Sequence, residues 1–472
     1  VSFKRWGKPV FAYLRNPGAR EYYLATAADQ IYFTREDLLN LKGLRAELTY
    51  YRRTLDKLGI EMELEHAGKY KDAGDSSTRT SMSPETREVL NSMLDILYSD
   101  IVETIGTARR KTSIQVRELI DQGPFLAPKA VEFGLIDGLV YEDQVFEKLK
   151  TRLKSSAEIK RISHRDYARV RAASLGIEGG KSIALVVGEG AITRGGSVQP
   201  FDEDEGIRSA PFIRLLRQVA DDKSVHAAIL RINSPGGDAI ASDEILEAVR
   251  NLSKKKPLVI SMSDVAASGG YYIAMTGDPV VSYAHTITGS IGVIYGKPNL
   301  RGLYEKLGFS TDVLTRGRFA EIDALYKPMT PVERAKLREG VDFVYRSFLT
   351  RVSEGRRKPV DQIEPLAQGR AWMGLQGKQN GLIDELGGLE RAIELVRQKA
   401  GIPAGDKTQI VVYPKRRTLV EQLMKSSEES TVEILAWRRL QQMLRRAGLD
   451  AGADALLSAG YLRLAPYQLE FR

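Results

Sequence analysis

The chain repeats itself. Lys8-Pro9-Val10 returns as Lys256-Pro257-Leu258, and Tyr22-Tyr23-Leu24-Ala25 as Tyr271-Tyr272-Ile273-Ala274. Leu55-Asp56-Lys57-Leu58-Gly59 returns as Tyr304-Glu305-Lys306-Leu307-Gly308, and Met82-Ser83-Pro84 as Met329-Thr330-Pro331. Gly134-Leu135-Ile136-Asp137 returns as Gly381-Leu382-Ile383-Asp384. The offsets are 248, 249, 249, 247 and 247, always in the same order. Chance does not keep a spacing constant to within two residues through five matches, so two copies of one domain are expected, in line with a length of 472 residues that exceeds one ordinary core.

The second copy starts near Lys181, 75 positions ahead of its Lys256, whereas only seven residues precede Lys8. The first copy is therefore read as truncated at its N-terminus, and a chain that opens on Val1 rather than Met as a fragment. The expected divisions are 1–151 for the first copy, 152–180 for a polar, basic linker, 181–400 for the second copy and 401–472 for a basic extension. The extension carries Lys415-Arg416-Arg417, Arg438-Arg439 and Arg445-Arg446 and closes on an apolar–polar alternation from Tyr461 to Phe471. A solvated helix followed by a terminal strand is the plain expectation there, and a surface facing lipid headgroups or a partner subunit the sharper one.

The local patterns predict an α/β fold. Apolar runs at Ser182–Val187, Ala227–Ile232 and Leu258–Met262 read as buried strands, with helical spacing over Phe212–Val219 and Ile245–Leu252 between them. Strands alternating with helices imply a sheet with right-handed crossovers. Ser83-Pro84 and Thr330-Pro331 each set a capping hydroxyl before a proline at the first helical position, and Glu333 completes a capping box with Thr330.

Composition removes several functions. With no cysteine there is no disulfide, thiolate metal site or cysteine nucleophile. The four histidines form no His-x-x-x-His pair, so no metal or other cofactor is expected. The net charge of +9 admits an anionic partner, but no aromatic-plus-basic nucleic-acid motif accompanies it, and no nucleic acid is expected. No stretch approaches the 18 or more apolar residues of a membrane helix.

Three loops, each after a predicted strand, could do chemistry. Asn233-Ser234-Pro235-Gly236-Gly237-Asp238 has two glycines whose N–H groups no Cβ shields, which suits an oxyanion hole and equally suits an ordinary tight turn. In Ala266-Ala267-Ser268-Gly269-Gly270-Tyr271-Tyr272 a serine among small residues at a strand-to-helix junction can expose its hydroxyl, with the Gly269 N–H beside it; a helix cap is the plainer reading. Thr286-Ile287-Thr288-Gly289-Ser290-Ile291-Gly292 could orient a base or simply bend the chain.

Together these loops resemble the signal peptide peptidase A (protease IV) family, which has the Clp-protease/crotonase fold. The carriers are Arg231 to Gly237, Ala266 to Tyr272 and Thr288 to Gly292. The resemblance extends over nearly the whole chain, because the long form of that family is itself a tandem repeat. It implies Ser268 as nucleophile and Ser290 as a serine that hydrogen-bonds the catalytic lysine, beside the N–H groups of Gly236, Gly237 and Gly269 read above as the candidate oxyanion hole. Gly68-Lys69-Tyr70-Lys71-Asp72-Ala73 resembles the family segment that supplies the base, at the Lys71 position. The resemblance also implies a serine endopeptidase for cleaved signal peptides and similar hydrophobic peptides, a homotetramer, and an N-terminal membrane anchor outside this chain. The expected place is the bacterial inner membrane with the catalytic domains facing the periplasm, or alternatively the plastid thylakoid membrane.

The repeat speaks to the lysine independently. At an offset of 249, Lys71 falls on Ala320 and Lys69 on Arg318, while Ser268 falls on Ala19. Each copy has lost what the other kept, as expected of one site assembled from both, with Lys69 as the reserve base. A serine becomes a nucleophile only when a base takes its proton. Lysine does this as the neutral amine, so near pH 7 it must titrate far below its ordinary value of about 10.4, at a cost on the order of 4 kcal/mol that burial supplies.

Three other readings compete. His285, 17 residues after Ser268, could complete a Ser-His-Asp site. A crotonase-type acyl-CoA enzyme would use carboxylates such as Asp238 and Glu244 and would not need Ser268. A scaffold descended from a peptidase would have no reason to keep Ser268, Ser290 and Lys71 together.

Overall fold

The computed structural model describes residues 2–154, 156–170, 179–195, 206–403 and 405–414, together with the backbone of 461–464. The basic clusters at 415–417, 438–439 and 445–446 lie outside the described residues, as does the alternation beyond Leu464. The chain folds into two compact units. One is built from Val1–Glu47 and Leu90–Gly176, the other from Leu48–Val89 and Ile177–Tyr467. The segment Leu48–Val89, which belongs to the first copy in sequence, thus belongs to the unit that contains the second.

The first unit holds a parallel sheet of Phe11–Tyr13, Gln30–Phe33 and Gly138–Leu139. Its core gathers Tyr22, Ile31, Phe33, Val102, Ile105, Val116 and Phe125.

In the second unit the sheet that carries the core runs, in spatial order, Ala371–Met373, Ile287–Gly289, Leu258–Ala267, Val225–Ser234, Lys181–Glu189 and Thr408–Tyr413. All neighbours on this path are parallel except Ala371–Met373, which pairs antiparallel with Ile287–Gly289. The predicted runs read as unbroken apolar segments because both faces of a parallel sheet are covered. Ile183, Leu185, Ala227, Ile229 and Val259 face one way, onto Ala392 and Val396 of the helix Leu389–Lys399. Ala184, Val186, Ala228, Leu230 and Ile260 face the other way, onto the helices Ser209–Asp221, Ala239–Lys255 and Pro331–Arg356. The strand expected to stop at Met262 continues to Ala267, which brings its end to Ser268.

A second sheet of this unit includes Glu61–Ala67, Val293–Asn299, Tyr461–Leu464, Gly236–Asp238 and Ile192–Thr193 in that order. The Pro-Gly-Gly loop is therefore partly strand. Glu61–Ala67 runs antiparallel to Val293–Asn299, with Ala67 opposite Val293 and Glu61 opposite Asn299.

The helix starts form where the capping chemistry places them. Helices run from Pro84 to Arg109 and from Pro331 to Arg356. The Glu333 N–H donates to Thr330 Oγ1, and Glu333 Oε2 accepts from the Thr330 N–H at 2.8 Å.

The repeat holds at the level of individual hydrogen bonds. Tyr22 Oη donates to the Leu135 carbonyl at 2.6 Å, and Tyr271 Oη to the Leu382 carbonyl at 2.8 Å. The Ile31 N–H donates to Asp137 Oδ2, and the Val280 N–H to Asp384 Oδ2. Arg109 pairs with Asp137 as Arg356 pairs with Asp384. Each unit closes its sheet with the same buried tyrosine and the same aspartate, so the matched sequences mark a shared fold.

Candidate active site

The Leu258–Ala267 strand ends at Ser268, and a helical turn of Gly269–Tyr272 follows at once. Turning a strand into a helix within one residue forces Ser268 to φ 53° and ψ −118°. Such backbone costs on the order of 1–3 kcal/mol in a non-glycine residue and persists where its surroundings enforce it. Here the Ser268 N–H donates to the Gly289 carbonyl at 2.8 Å, and its own carbonyl accepts from the Tyr272 N–H at 2.9 Å. Ser268 precedes the helix but makes no side-chain cap, so its hydroxyl stays available.

Lys71 Nζ donates to that hydroxyl at 2.9 Å. It also donates to the carbonyl and the hydroxyl of Ser290, each at 3.1 Å. All three residues are buried, Lys71 with 2% of its surface exposed and both serines with none. Register explains the meeting. The antiparallel pairing sets Ala67 opposite Val293, just past the loop that carries Ser290, and the chain then turns at Gly68 and delivers Lys71 three residues later. Ser290 has φ 50°, and its N–H donates to the Arg370 carbonyl at 2.7 Å.

Gly237 has φ 153°, and a Cβ on it would stand 2.0 Å from the Ile192 carbonyl oxygen. Only glycine fits. Gly269 lies against it, since a Cβ on Gly269 would stand 3.1 Å from Gly237 N. As the first residue of a helical turn, Gly269 has an N–H with no acceptor inside the helix. The Gly236 N–H donates to Ser234 Oγ at 3.2 Å. The three glycines thus lie together beside Ser268, and the Gly236 donor is already engaged.

The other candidates stand elsewhere. Lys69 is exposed, with its Nζ 4.8 Å from the centre of the Tyr70 ring. Asp238 caps the helix Ala239–Lys255 through the Ala241 N–H and pairs with Arg194, and Glu244 is exposed. His285 is half-buried in the turn that precedes Ile287–Gly289.

Two contributors were not foreseen. Ser234 holds the Gly236 N–H. The turn Gln368–Arg370 reaches both the lysine and the Ser290 loop: the Tyr70 N–H donates to the Gln368 carbonyl at 2.8 Å and the Gly369 N–H to the Ile291 carbonyl at 2.7 Å. A signal was present, because Gln122-Gly123 recurs as Gln368-Gly369 at an offset of 246, one position out of step.

The sequence model described as "Peptidase family S49" matches residues 2–156 and again 250–403. A chloroplastic protein of Arabidopsis thaliana named "Serine protease SPPA" is 35% identical over 461 residues, covering 96% of this chain and 67% of that protein. Proteins named "Protease 4" are 32% identical in Haemophilus influenzae, over 84% of this chain and 65% of that protein, and 29% identical in Salmonella typhi, over 97% and 74%. The chain thus spans 65–74% of the length of these relatives. Among solved structures, a membrane-bound stomatin-specific protease with a substrate peptide aligns at TM-score 0.31 and 13% identity, over 53% of this chain and 98% of that one. ClpP1 from Listeria monocytogenes aligns at TM-score 0.25 and 16% identity, over 43% and 91%.

Proposed function

The chain belongs to peptidase family S49, and from that premise we propose that it is a serine endopeptidase with Ser268 as nucleophile and Lys71 as base. The observation that carries this reading is the 2.9 Å contact between Lys71 Nζ and Ser268 Oγ in a buried site. Burial penalises the ammonium form of Lys71. As the neutral amine, Lys71 can donate to the Ser290 carbonyl and hydroxyl and turn its lone pair to the Ser268 hydroxyl, reversing the direction of the 2.9 Å contact so that it can take the serine proton.

In the first step Ser268 Oγ bonds to the carbonyl carbon of the scissile peptide and its proton passes to Lys71 Nζ. The negative charge that develops on the carbonyl oxygen is met by the N–H groups of Gly269 and Gly237, joined by Gly236 if Ser234 releases it. As the C–N bond breaks, Lys71 returns the proton to the leaving amine. Water then attacks the acyl-enzyme carbonyl and gives a proton to Lys71; as the ester C–O bond breaks, Lys71 passes that proton to Ser268 Oγ and the carboxylic acid product leaves.

The substrates we propose are cleaved signal peptides and similar hydrophobic peptides, bound in extended form. An extended mode is supported by the sheet beside the site. The backbone of Tyr461–Leu464 runs antiparallel between Gly236–Asp238 and Val293–Asn299, so an extended segment of this chain already pairs there, and an extended substrate would take that place. We further propose a homotetramer attached to a membrane by an N-terminal anchor outside this chain, in the bacterial inner membrane facing the periplasm or in a thylakoid. Among the described residues no helix is long and apolar enough to cross a membrane.

The test is a fluorophosphonate probe and a quenched hydrophobic peptide applied to the wild type, Ser268→Ala and Lys71→Met. Labelling at Ser268 that is lost in the first variant and slowed by orders of magnitude in the second supports the reading. Undiminished hydrolysis by a folded Ser268→Ala protein would falsify it.

A further inference from the structure

Lys71 sits in a turn of Gly68 to Asp72 with little structure of its own, held by a Gly68 carbonyl to Lys71 N–H bond at 3.1 Å. A base that must meet two hydroxyls needs a rigid support, since a displacement of 1 Å can cost on the order of 100-fold in rate. The turn Gln368–Arg370, far away in sequence, lies where such a support is needed. Its Gly369 has φ 77°, and a Cβ there would stand 2.5 Å from Lys71 N and 2.6 Å from Lys71 Cβ. The glycine is therefore pressed flat beneath the lysine backbone.

The same turn grips both sides of the site through the main chain. The Gln368 carbonyl takes the Tyr70 N–H, the Gly369 N–H reaches the Ile291 carbonyl, and the Arg370 carbonyl takes the Ser290 N–H. One three-residue turn is thus bonded to the residue before the lysine, to Ser290 and to the residue after Ser290. The Arg370 side chain adds a clasp. Its guanidinium lies 5.0 Å from the Tyr70 ring and 4.3 Å from the Trp372 ring. It pairs with Glu88, which also accepts from Tyr70 Oη at 3.0 Å. The Arg370 side chain is only 15% exposed, so stacking on two rings is worth more than at an open surface.

We propose that Gly369 and Arg370 are positioning residues. Gly369 sets the height of the Lys71 backbone, and the Arg370–Tyr70–Glu88 clasp locks the lysine turn to the serine loop. Neither touches the reacting atoms. This rests on the reading of Lys71 as the base.

The test compares Gly369→Ala, Arg370→Ala, Arg370→Lys and Lys71→Met in the full chain by peptide hydrolysis across pH 6 to 10. Arg370→Ala is expected to lower kcat about 10-fold or more with KM within about twofold, and Gly369→Ala on the order of 100-fold. The acid limb of the pH profile should move to higher pH, because a loosened lysine meets water and its ammonium is less penalised. Arg370→Lys keeps a charge for Glu88 but not a flat face for two rings, and should recover part of the loss. If Gly369→Ala does not fold, the two Arg370 variants decide. The proposal is overturned if Lys71→Met is inactive while Arg370→Ala keeps its kcat, or loses kcat with the acid limb unmoved. If Lys71→Met itself stays active, the assignment of the base has failed, and the positioning role falls with it.

Discussion

Lys71 Nζ lies 2.9 Å from Ser268 Oγ although 197 positions separate the two residues. The contact depends on a strand register, Ala67 opposite Val293, that places the end of one copy's segment beside a loop of the other. A shift of one residue in that register would turn the side chains of Glu61–Ala67 to the opposite face and displace the turn that carries Lys71.

The second serine should act through its hydroxyl. Ser290→Ala removes one acceptor of Lys71 and leaves the carbonyl. We expect kcat to fall about 10- to 100-fold with KM nearly unchanged. Because Ser290 has φ 50°, Ser290→Gly separates the hydroxyl from the backbone. Equal losses in both variants assign the effect to the hydroxyl, whereas an active Ser290→Gly assigns it to strain.

Gly237→Ala should abolish labelling of Ser268, because its Cβ would meet the Ile192 carbonyl at 2.0 Å. The cost should be a few kcal/mol, seen as a fall in Tm. Gly277→Ala is the control. It has φ 88° with nothing within 4 Å of a Cβ, so it should lose about 1–2 kcal/mol and keep its activity.

A buried ion cluster anchors the strand that leads to Lys71. Glu63 accepts from the Met329 N–H at 2.9 Å and from Arg334 at 3.0 Å, and lies 3.6 Å from Lys297 Nζ. The Glu63 side chain is 6% exposed and that of Lys297 2%. Removing one member leaves an uncompensated buried charge, so Glu63→Ala should cost about 3–5 kcal/mol in urea unfolding. Lys297→Met in the same chain should recover a substantial part. No recovery would mean that the Met329 and Arg334 bonds, not the lysine, carry the loss.

Asp75 should give a pH signature. Burial, and then the charge of Asp72, push its carboxyl up from 3.8 to about 6. A raised value in the folded state favours folding fully below about pH 4, and that contribution is lost as pH rises through about 6. Asp75→Asn should therefore be more stable than the wild type at pH 7.5, by about 1 kcal/mol once solvent screening is allowed for at a side chain 26% exposed. The two should converge below about pH 4. Parallel stability curves from pH 4 to 8 would refute the assignment.

The sequence by itself determined the α/β class, the duplication, the helix starts at Pro84 and Pro331, and the short list containing Ser268, Lys71 and Ser290. These are local matters: strand runs are apolar because both faces of the sheet are covered, and capping follows from hydroxyl, proline and glutamate at fixed spacing. The duplication was legible because a shared fold keeps its buried tyrosine and aspartate contacts, Tyr22 with Leu135 and Tyr271 with Leu382.

Only the tertiary structure decided that Leu48–Val89 belongs to the compact unit of the second copy, that Lys71 and not Lys69 meets the serines, and that Gln368–Arg370 supports them both. Lys69 and Lys71 differ by two positions and carry the same charge. Both lie past the end of the strand at Ala67, and what separates them is the turn closed by the Lys71 N–H to Gly68 carbonyl bond, which buries Lys71 and leaves Lys69 exposed. The support turn is held by main-chain hydrogen bonds and a missing Cβ, and neither leaves a chemical mark on residue type beyond a single glycine.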